Sequence, residues 1–289
     1  MTEQKSVRQR ARERGSLGGA DAQALEGALS MTERERDAAL RERDEARVEL
    51  GRMRDARPRT STMTTPANGI MEHAAVVLLS GGFDSVAALH WAAIRYRRII
   101  AISFLYGQPN VDQESTAAGL VAASIGIEWR RLAVSDAVRG ARALESASPV
   151  VPGRNLVFLS IAAAHAAHEW QLGRLDLVIG SNADDADQFP DCRLGTLLSM
   201  TETLSQGLGR ECRVVAPWID RTKSQILYSI KADPVALAAV RRSWSCYHST
   251  GPCGACGACV KRAAAFAAQG VEDECAAVVM GGGDRSRER

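Results

Sequence analysis

Two rhythms of apolar and polar positions alternate along the chain from about residue 71 onward. Short strand-like runs cover residues 75–79, 99–104, 128–133, 175–180 and 213–216. Alanine-rich stretches of helical character lie between them, over 86–96, 114–124, 155–170 and 222–231. Apolar strands that alternate with helices predict an α/β fold with a doubly wound parallel sheet, covered by helices on both faces. Ligands of such sheets bind beyond the carboxyl ends of the strands. No internal repeat is present.

The first 57 residues or so follow neither rhythm. The stretch "MTERERDAALRERDEARVELGRMRDARPR" is rich in Arg and Glu, with sparse small apolar positions and no aromatic residue. Glu and Arg at near-helical spacing favour a solvated helix or a disordered arm. A weak coiled-coil surface is the other reading, although the heptad pattern is poor. "PRTSTMTTPANGI" then reads as a linker, and Met71 is a candidate start of translation.

Bulk composition changes this picture little. The 289 residues suffice for one large domain or two small ones. Hydrophobic residues at 46% and charged residues at 24% are ordinary for a globular protein. A net charge of +2 decides nothing about nucleic acid, since a balanced total can hide a basic face. No apolar stretch approaches the roughly 20 residues of a membrane span. The N-terminus lacks the apolar core of a secretory signal, and its acidic residues argue against a mitochondrial presequence. A cytoplasmic protein is expected, with neither a membrane nor a nucleic acid as partner.

Chemistry enters at "AAVVLLSGGFDSVAALHWA". An apolar strand stops at Ser80-Gly81-Gly82 and a helix begins a few residues later, with Asp84 or Ser85 placed to cap it. Backbone N–H groups of such a corner, with the helix N-terminus behind them, form an anion cradle. Glycines let phosphate oxygens approach the main chain. The corner lacks the GK[ST] of a Walker loop, so no lysine of that kind reaches a β/γ-phosphate. Further on, "APWIDRTKSQI" ends a strand and opens a helix near Thr222. Lys223 there is either a phosphate ligand of the same pocket or an ordinary surface lysine.

Seven cysteines is an odd number, and four of them fall in "SCYHSTGPCGACGACVKR" as Cys246, Cys253, Cys256 and Cys259. Four thiolates so close in sequence can surround one tetrahedral ion, and the intervening glycines let the loop turn about it. A closed four-sulfur shell leaves no open position, so a zinc ion held there is structural. An iron–sulfur cluster and free cysteines are the alternatives. His248 lies inside the loop and is not expected to be a ligand. Cys212 and Cys275 read as small apolar residues.

The SGGxDS pattern after a strand resembles the PP-loop pyrophosphatase family. The resemblance implies cleavage of ATP between its α- and β-phosphates. Ser80, Gly81, Gly82 and Ser85 would hold the pyrophosphate, with Asp84 acting directly or through Mg²⁺. It further implies a nucleotide-binding set that includes Leu79, Phe83, Val86 and Leu89, and a catalytic set of Asp84, Ser85 and Lys223. "FLYGQ" at 104–108, "VPGRNLVFLSIAAAHA" from 151, "GSNADDADQFPDCR" from 180, "SCY" at 245–247 and the cysteine cluster follow in order. Together these motifs, spanning 74 to 266, are similar to the 7-cyano-7-deazaguanine synthase (QueC) family.

That likeness implies ATP-dependent conversion of 7-carboxy-7-deazaguanine and ammonia to the nitrile, a structural Zn²⁺ on the four cysteines, and a homodimer. It points to Arg154, Asn155, Asp185 and Asp191 as substrate readers. Arg154 alternatively pairs with the substrate carboxylate. Asn155 alternatively caps its helix, and Asp191 alternatively orients Arg193. The division expected is an arm and linker over 1–70, an ATP-binding domain over 71–240 and a zinc-binding segment over 241–289.

Two departures stand out. The family continues YGQ with Arg-His, where this chain has Pro109-Asn110; and "NADDADQF" replaces a segment closer to "CETDFSGY". A related enzyme acting on another acceptor, in DNA modification or antiviral defence, fits these changes. A PP-loop tRNA thiolase would use Cys192 as a sulfur carrier and need a basic RNA-binding face. A zinc-ribbon adaptor for nucleic acid would leave SGGFDS without a purpose.

Overall fold

The computed structural model describes residues 71–134, 151–170, 173–186, 188–248 and 251–275, so the expected arm over 1–70 lies outside the described residues. Five strands form one sheet: β1 Met71–Leu78, β2 Tyr96–Leu105, β3 Glu128–Ala133, β4 Arg174–Val178 and β5 Glu211–Val215. Every pair is parallel and the order is β3-β2-β1-β4-β5. The expected doubly wound sheet is present. The chain winds outward from β1 to β3 and then returns to place β4 against the other side of β1. Strand order therefore reverses between β1 and β4, and the crevice above that pair is where such sheets take ligands.

Seven helices connect and cover the described strands: α1 Phe83–Ala93, α2 Val111–Ser124, α3 Arg154–Glu169, α4 Leu194–Leu208, α5 Lys223–Ile230, α6 Pro234–Arg241 and α7 Gly257–Ala268. Val77, Leu79, Phe83, Val86, Leu89, Ala118, Ile226, Val240 and Phe266 share one core. Val76, Ile102, Phe104, Phe158, Leu159, Leu197 and Leu204 form a second. Strand side chains alternate between faces, and adjacent Val76 and Val77 accordingly fall into different cores.

Helix α1 starts earlier than the pattern suggests. Gly82 occupies the N-cap position, so neither Asp84 nor Ser85 caps the helix; both lie in its first turn. The helix also ends at Ala93, and Tyr96 opens β2 instead of closing α1. Tyr96 gains a specific partner there, since its hydroxyl donates to buried Asp176 Oδ2 at 2.8 Å.

The helices α4, α6 and α7 are additions to the expected elements. Signals for α6 were present: Asp233 accepts from the N–H groups of Val235 and Ala236, and Pro234 sits at the first helical position. Helix α7 leaves directly from the cysteine loop and is anchored at two points. Phe266 meets Phe83 edge-on at 6.0 Å, a burial contributing about 1.5–3 kcal/mol. Arg262, 3% exposed, forms a two-bond pair with Asp273 and donates to the carbonyls of Ser243, Val240 and Arg241. The segment carrying the cysteines is thus fastened to the core that holds Phe83 at the start of α1. No described helix is long and apolar enough to cross a membrane.

Candidate active site

The glycine corner folds into a compact loop at the end of β1. The Ser80 and Ser85 hydroxyls lie 3.0 Å apart, Ser85 Oγ donates to the Gly82 carbonyl, and Gly82 N–H donates to Ser80 Oγ. Gly81 has φ +85°, and a Cβ there would collide with the Glu114 carbonyl oxygen. Only glycine fits. Gly180, at the end of β4, is equally constrained, because a Cβ would come within 2.7 Å of the Asp84 carbonyl carbon and the Ser85 nitrogen. Gly180 therefore packs directly on the first turn of α1, and Gly81 on the main chain of α2.

Lys223 is not a surface lysine. Its ammonium is buried and ion-paired with Asp84, while Thr222 and Gln225 form a reciprocal capping box that fixes the start of α5. The Lys223 backbone N–H donates to Asp184 Oδ2 at 2.9 Å. Burial alone would lower the lysine's pKa, but Asp84 and Asp185 outweigh it and hold the ammonium charged. Asp185 is affected in the opposite direction. Burial, partly countered by Lys223 and reinforced by Asp84, lifts its carboxyl from 3.8 to about 6.

A cavity of about 720 Å³ opens above β1 and β4, and Leu79, Ser80, Gly82, Phe83, Asp84, Ser85, Arg154, Asn155, Asp185 and Lys223 all line it. Four other expected site residues do not reach it. Gly81 turns behind the loop, its carbonyl accepting from the Trp244 N–H at 2.9 Å. Val86 and Leu89 point into the core with no exposed surface, so their contribution is support beneath the loop. Asp191 accepts from the Asn155 backbone N–H at 2.9 Å, so its carboxylate satisfies a donor in the first turn of α3, whose N-cap is Gly153. Nor does it orient Arg193, whose Nε donates to the Ala186 carbonyl.

The remaining walls add Tyr106, Asn110, Glu114 and Lys261, none of them named as a site residue from the sequence. Arg154 donates to the Tyr106 hydroxyl at 2.7 Å and lies over the Tyr106 and Phe158 rings. Burial opposes its charge, but Tyr106, Glu114 and Asp191 keep its pKa above the ordinary value. Asn110, one of the departing residues, is buried; its amide donates to Glu114 Oε1 at 3.1 Å and to the Cys246 carbonyl at 2.8 Å. Lys261 lines the cavity from α7 and donates to the Asp184 carbonyl. Tyr106 belonged to the FLYGQ motif and Lys261 follows Cys259 by two positions. Glu114 carried no sequence signal.

The four cysteines converge: the sulfurs of Cys246, Cys253, Cys256 and Cys259 all lie within 4.8 Å of one another. A tetrahedral ion with metal–sulfur bonds of about 2.3 Å needs sulfurs about 3.8 Å apart, so the cluster fits one. Three backbone N–H groups, of His248, Cys253 and Cys256, already point at these sulfurs at 3.3–3.4 Å, the kind of support that thiolate charge requires. His248 contributes its backbone and is not in the sulfur cluster. Cys256 also touches the cavity, which makes the candidate metal centre a neighbour of the active site.

A parallel sheet with a phosphate-type corner at its switch point defines a PP-loop α/β protein. The profile described as queuosine biosynthesis protein QueC matches residues 74–270, and the chain belongs to that family. It is similar to a 7-cyano-7-deazaguanine synthase of Laribacter hongkongensis, with 37% identity over 226 residues, covering 70% of this chain and 93% of that protein. A 7-cyano-7-deazaguanine synthase of Chromobacterium violaceum is 34% identical over 225 residues, covering 71% and 94%. Among solved structures, a tRNA thiolase of Methanococcus maripaludis matches with a TM-score of 0.44 and 17% identity, covering 75% of this chain and 74% of its own.

Proposed function

We propose that the chain is an ATP-dependent 7-cyano-7-deazaguanine synthase, a C–N bond-forming ligase. It converts 7-carboxy-7-deazaguanine and ammonia to the nitrile through adenylylated intermediates. The observation that carries this reading is the meeting of the Lys223–Asp84 pair with the Ser80–Ser85 loop on one cavity that Arg154 also lines. A carboxylate is a poor electrophile, and adenylylation gives it a leaving group. The substrate carboxylate attacks the α-phosphorus of ATP, the bond to the β-phosphate breaks, and pyrophosphate departs. Ser80, Gly82 and Ser85 bind that pyrophosphate, and the Lys223 ammonium offsets the charge that develops on it. Arg154 orients the acid by pairing with its carboxylate, and Asn155 and Asp185 face the heterocycle.

Ammonia displaces AMP to give an amide. The amide oxygen is adenylylated in turn, and loss of the second AMP with a proton leaves the nitrile. Asp84 Oδ1 is buried and has no hydrogen-bond partner among the described residues, which suits it to hold Mg²⁺. Mg²⁺ bound there supplies positive charge to the phosphates. The four cysteines hold Zn²⁺ in a structural site that fastens 241–289 to the ATP-binding part over 71–240. A cytoplasmic homodimer completes the reading.

The test is incubation with 7-carboxy-7-deazaguanine, ATP–Mg²⁺ and ammonium, followed by mass spectrometry and nucleotide chromatography. Each nitrile should be accompanied by two AMP and two pyrophosphate, and supplied amide should consume a single ATP. Release of ADP and phosphate in place of AMP would sink the α-cleavage.

A further inference from the structure

Glu114 stands on α2 with no part in the chemistry above. It lines the same cavity as Ser80, Asp84 and Arg154. Its main chain forms the back of the phosphate corner, since its carbonyl oxygen is the atom that a Cβ on Gly81 would strike. Its carboxylate is held by two neutral amides that line the same cavity, Asn110 on Oε1 at 3.1 Å and Gln108 on Oε2 at 3.0 Å. Each carboxylate oxygen retains acceptor capacity after one such bond. No Lys or Arg donates to it among the described residues. Arg154 is close enough for its charge to act on Glu114, yet it spends a donor on Tyr106. A carboxylate at a cavity wall, fixed in place by neutral amides and with no cation hydrogen-bonded to it, is a site for a small cation that donates hydrogen bonds.

We propose that Glu114 docks ammonium in the cavity and is the catalytic base that takes a proton from it as nitrogen attacks the activated carboxyl. This deepens the synthase reading and rests on it. Ammonium is the main form of ammonia in neutral water, and it has no lone pair with which to attack. In the step, one N–H bond breaks and its proton forms an O–H bond on Glu114. The freed electron pair makes the N–C bond, and the C–O bond to the adenylyl group breaks with its pair leaving on AMP. The surplus proton of the new amide passes to water. Two features suit Glu114 to this work. Arg154, which would hold the substrate carboxylate, lies within electrostatic reach, so cation and acid are brought to the same wall. Burial also pushes the Glu114 carboxyl above the ordinary range, which strengthens it as a proton acceptor.

The experiment compares wild type with Glu114→Gln, an isosteric change that retains an acceptor oxygen. Three readouts are used: exchange of labelled pyrophosphate into ATP with 7-carboxy-7-deazaguanine, turnover with ammonium, and turnover with hydroxylamine. Hydroxylamine is unprotonated at neutral pH and needs no base. The expected result for Glu114→Gln is exchange within about threefold of wild type and hydroxamate formation likewise preserved. Ammonium-dependent turnover should fall by about 10² or more, the usual scale of general-base catalysis. Glu114→Asp should recover part of the ammonium rate. Equal losses with both nucleophiles would reassign Glu114 to holding the loop, and an unchanged ammonium rate would overturn the proposal outright. Absence of exchange in the wild type would refute the synthase reading itself and this inference with it.

Discussion

The ammonium of Lys223 is paired with the carboxylate of Asp84, which lies 139 positions earlier in the chain and at the start of a different helix. That pair joins the phosphate corner after β1 to the helix after β5, across the switch point of the sheet. Lys223→Met should therefore reduce turnover by about 10²–10³, as expected for loss of a preorganised charge at a developing anion. Asp84→Asn and Ser85→Ala should lower it by about 10² or more. Asp185 remains beside Lys223 in the Asn variant, so the fold should persist. Circular dichroism and single-turnover assays on all three variants check this; wild-type rates in folded Lys223→Met would remove the pair from the mechanism.

Asp185 gives the stability a pH dependence with a defined sign. Its folded-state carboxyl titrates near 6 against 3.8 when unperturbed, chiefly because burial penalises the charged form. The folded state thus binds the extra proton more tightly than the unfolded one. That contribution is fully present below about 3.8 and is lost as pH rises through about 6. Asp185→Asn removes the cost of the buried charge, so its melting temperature relative to wild type should rise between pH 4 and pH 7. Thermal melts across that range decide it, and a flat difference would contradict the assignment.

Most of the sheet was legible because period and punctuation agreed: apolar β1 ends at Ser80-Gly81-Gly82, and alanine-rich helices separate the strands. Helix α7 was obscured, because its apolar face is only Ala265 and Phe266 around a buried arginine, and the preceding cysteines draw attention to metal. The site was readable where local chemistry announces itself, as at SGGFDS and the four cysteines. It was unreadable where a role depends on distance in the chain. Asp191 reads in sequence as a substrate reader, but its carboxylate is turned to the first turn of α3 and does not line the cavity. Asn110 looked like a departure of uncertain effect, yet its amide ties Glu114 to the Cys246 carbonyl. Val86 and Leu89 follow the nucleotide motif in sequence, but helical rotation turns them into the core.

The Arg262–Asp273 pair should carry much of the attachment of α7. Both side chains are nearly inaccessible, at 4% and 5%, and the guanidinium spends its other donors on three carbonyls and two hydroxyls. Removing one partner of a buried pair leaves an uncompensated charge, which typically costs about 3–5 kcal/mol. Asp273→Ala is expected to lose that much in urea unfolding. Arg262→Met with Asp273→Leu should be less damaging than Asp273→Ala, since neither charge then remains, although the Ser243, Val240 and Arg241 carbonyls lose their donor.

Metal removal should be felt in the phosphate corner as well as in stability. The Cys246 carbonyl accepts from both Asn110 and the Trp244 indole, while the Trp244 backbone donates to the Gly81 carbonyl. The cysteine segment is thereby bonded to the Ser80–Ser85 loop, the proposed phosphate site. Purified protein should contain about one zinc per chain, and Cys256→Ser should lose metal and melt earlier. The KM for ATP should rise in any folded fraction of that variant. Visible absorption of an iron–sulfur cluster would overturn the zinc assignment, and an unchanged KM for ATP would break the link to the loop.

Cys192 separates amide and nitrile formation from sulfur transfer. A sulfur carrier needs an accessible thiolate, and thiolate character comes with a lowered pKa. Here the thiol is buried at 7% exposure, accepts from the Asn155 amide at 3.2 Å, and is pushed up to about 12, mainly by burial. Cys192 lines the cavity beside Asn155, where a thiol of this kind fills space and holds an amide. Cys192→Ser keeps the size and the acceptor, so nitrile formation should stay within about tenfold of wild type, with the main change in KM for the acid if Asn155 shifts. A thiolase would lose all activity in that variant. Complete loss in folded Cys192→Ser, with pyrophosphate exchange intact, would place a covalent sulfur step after adenylylation and end the synthase reading.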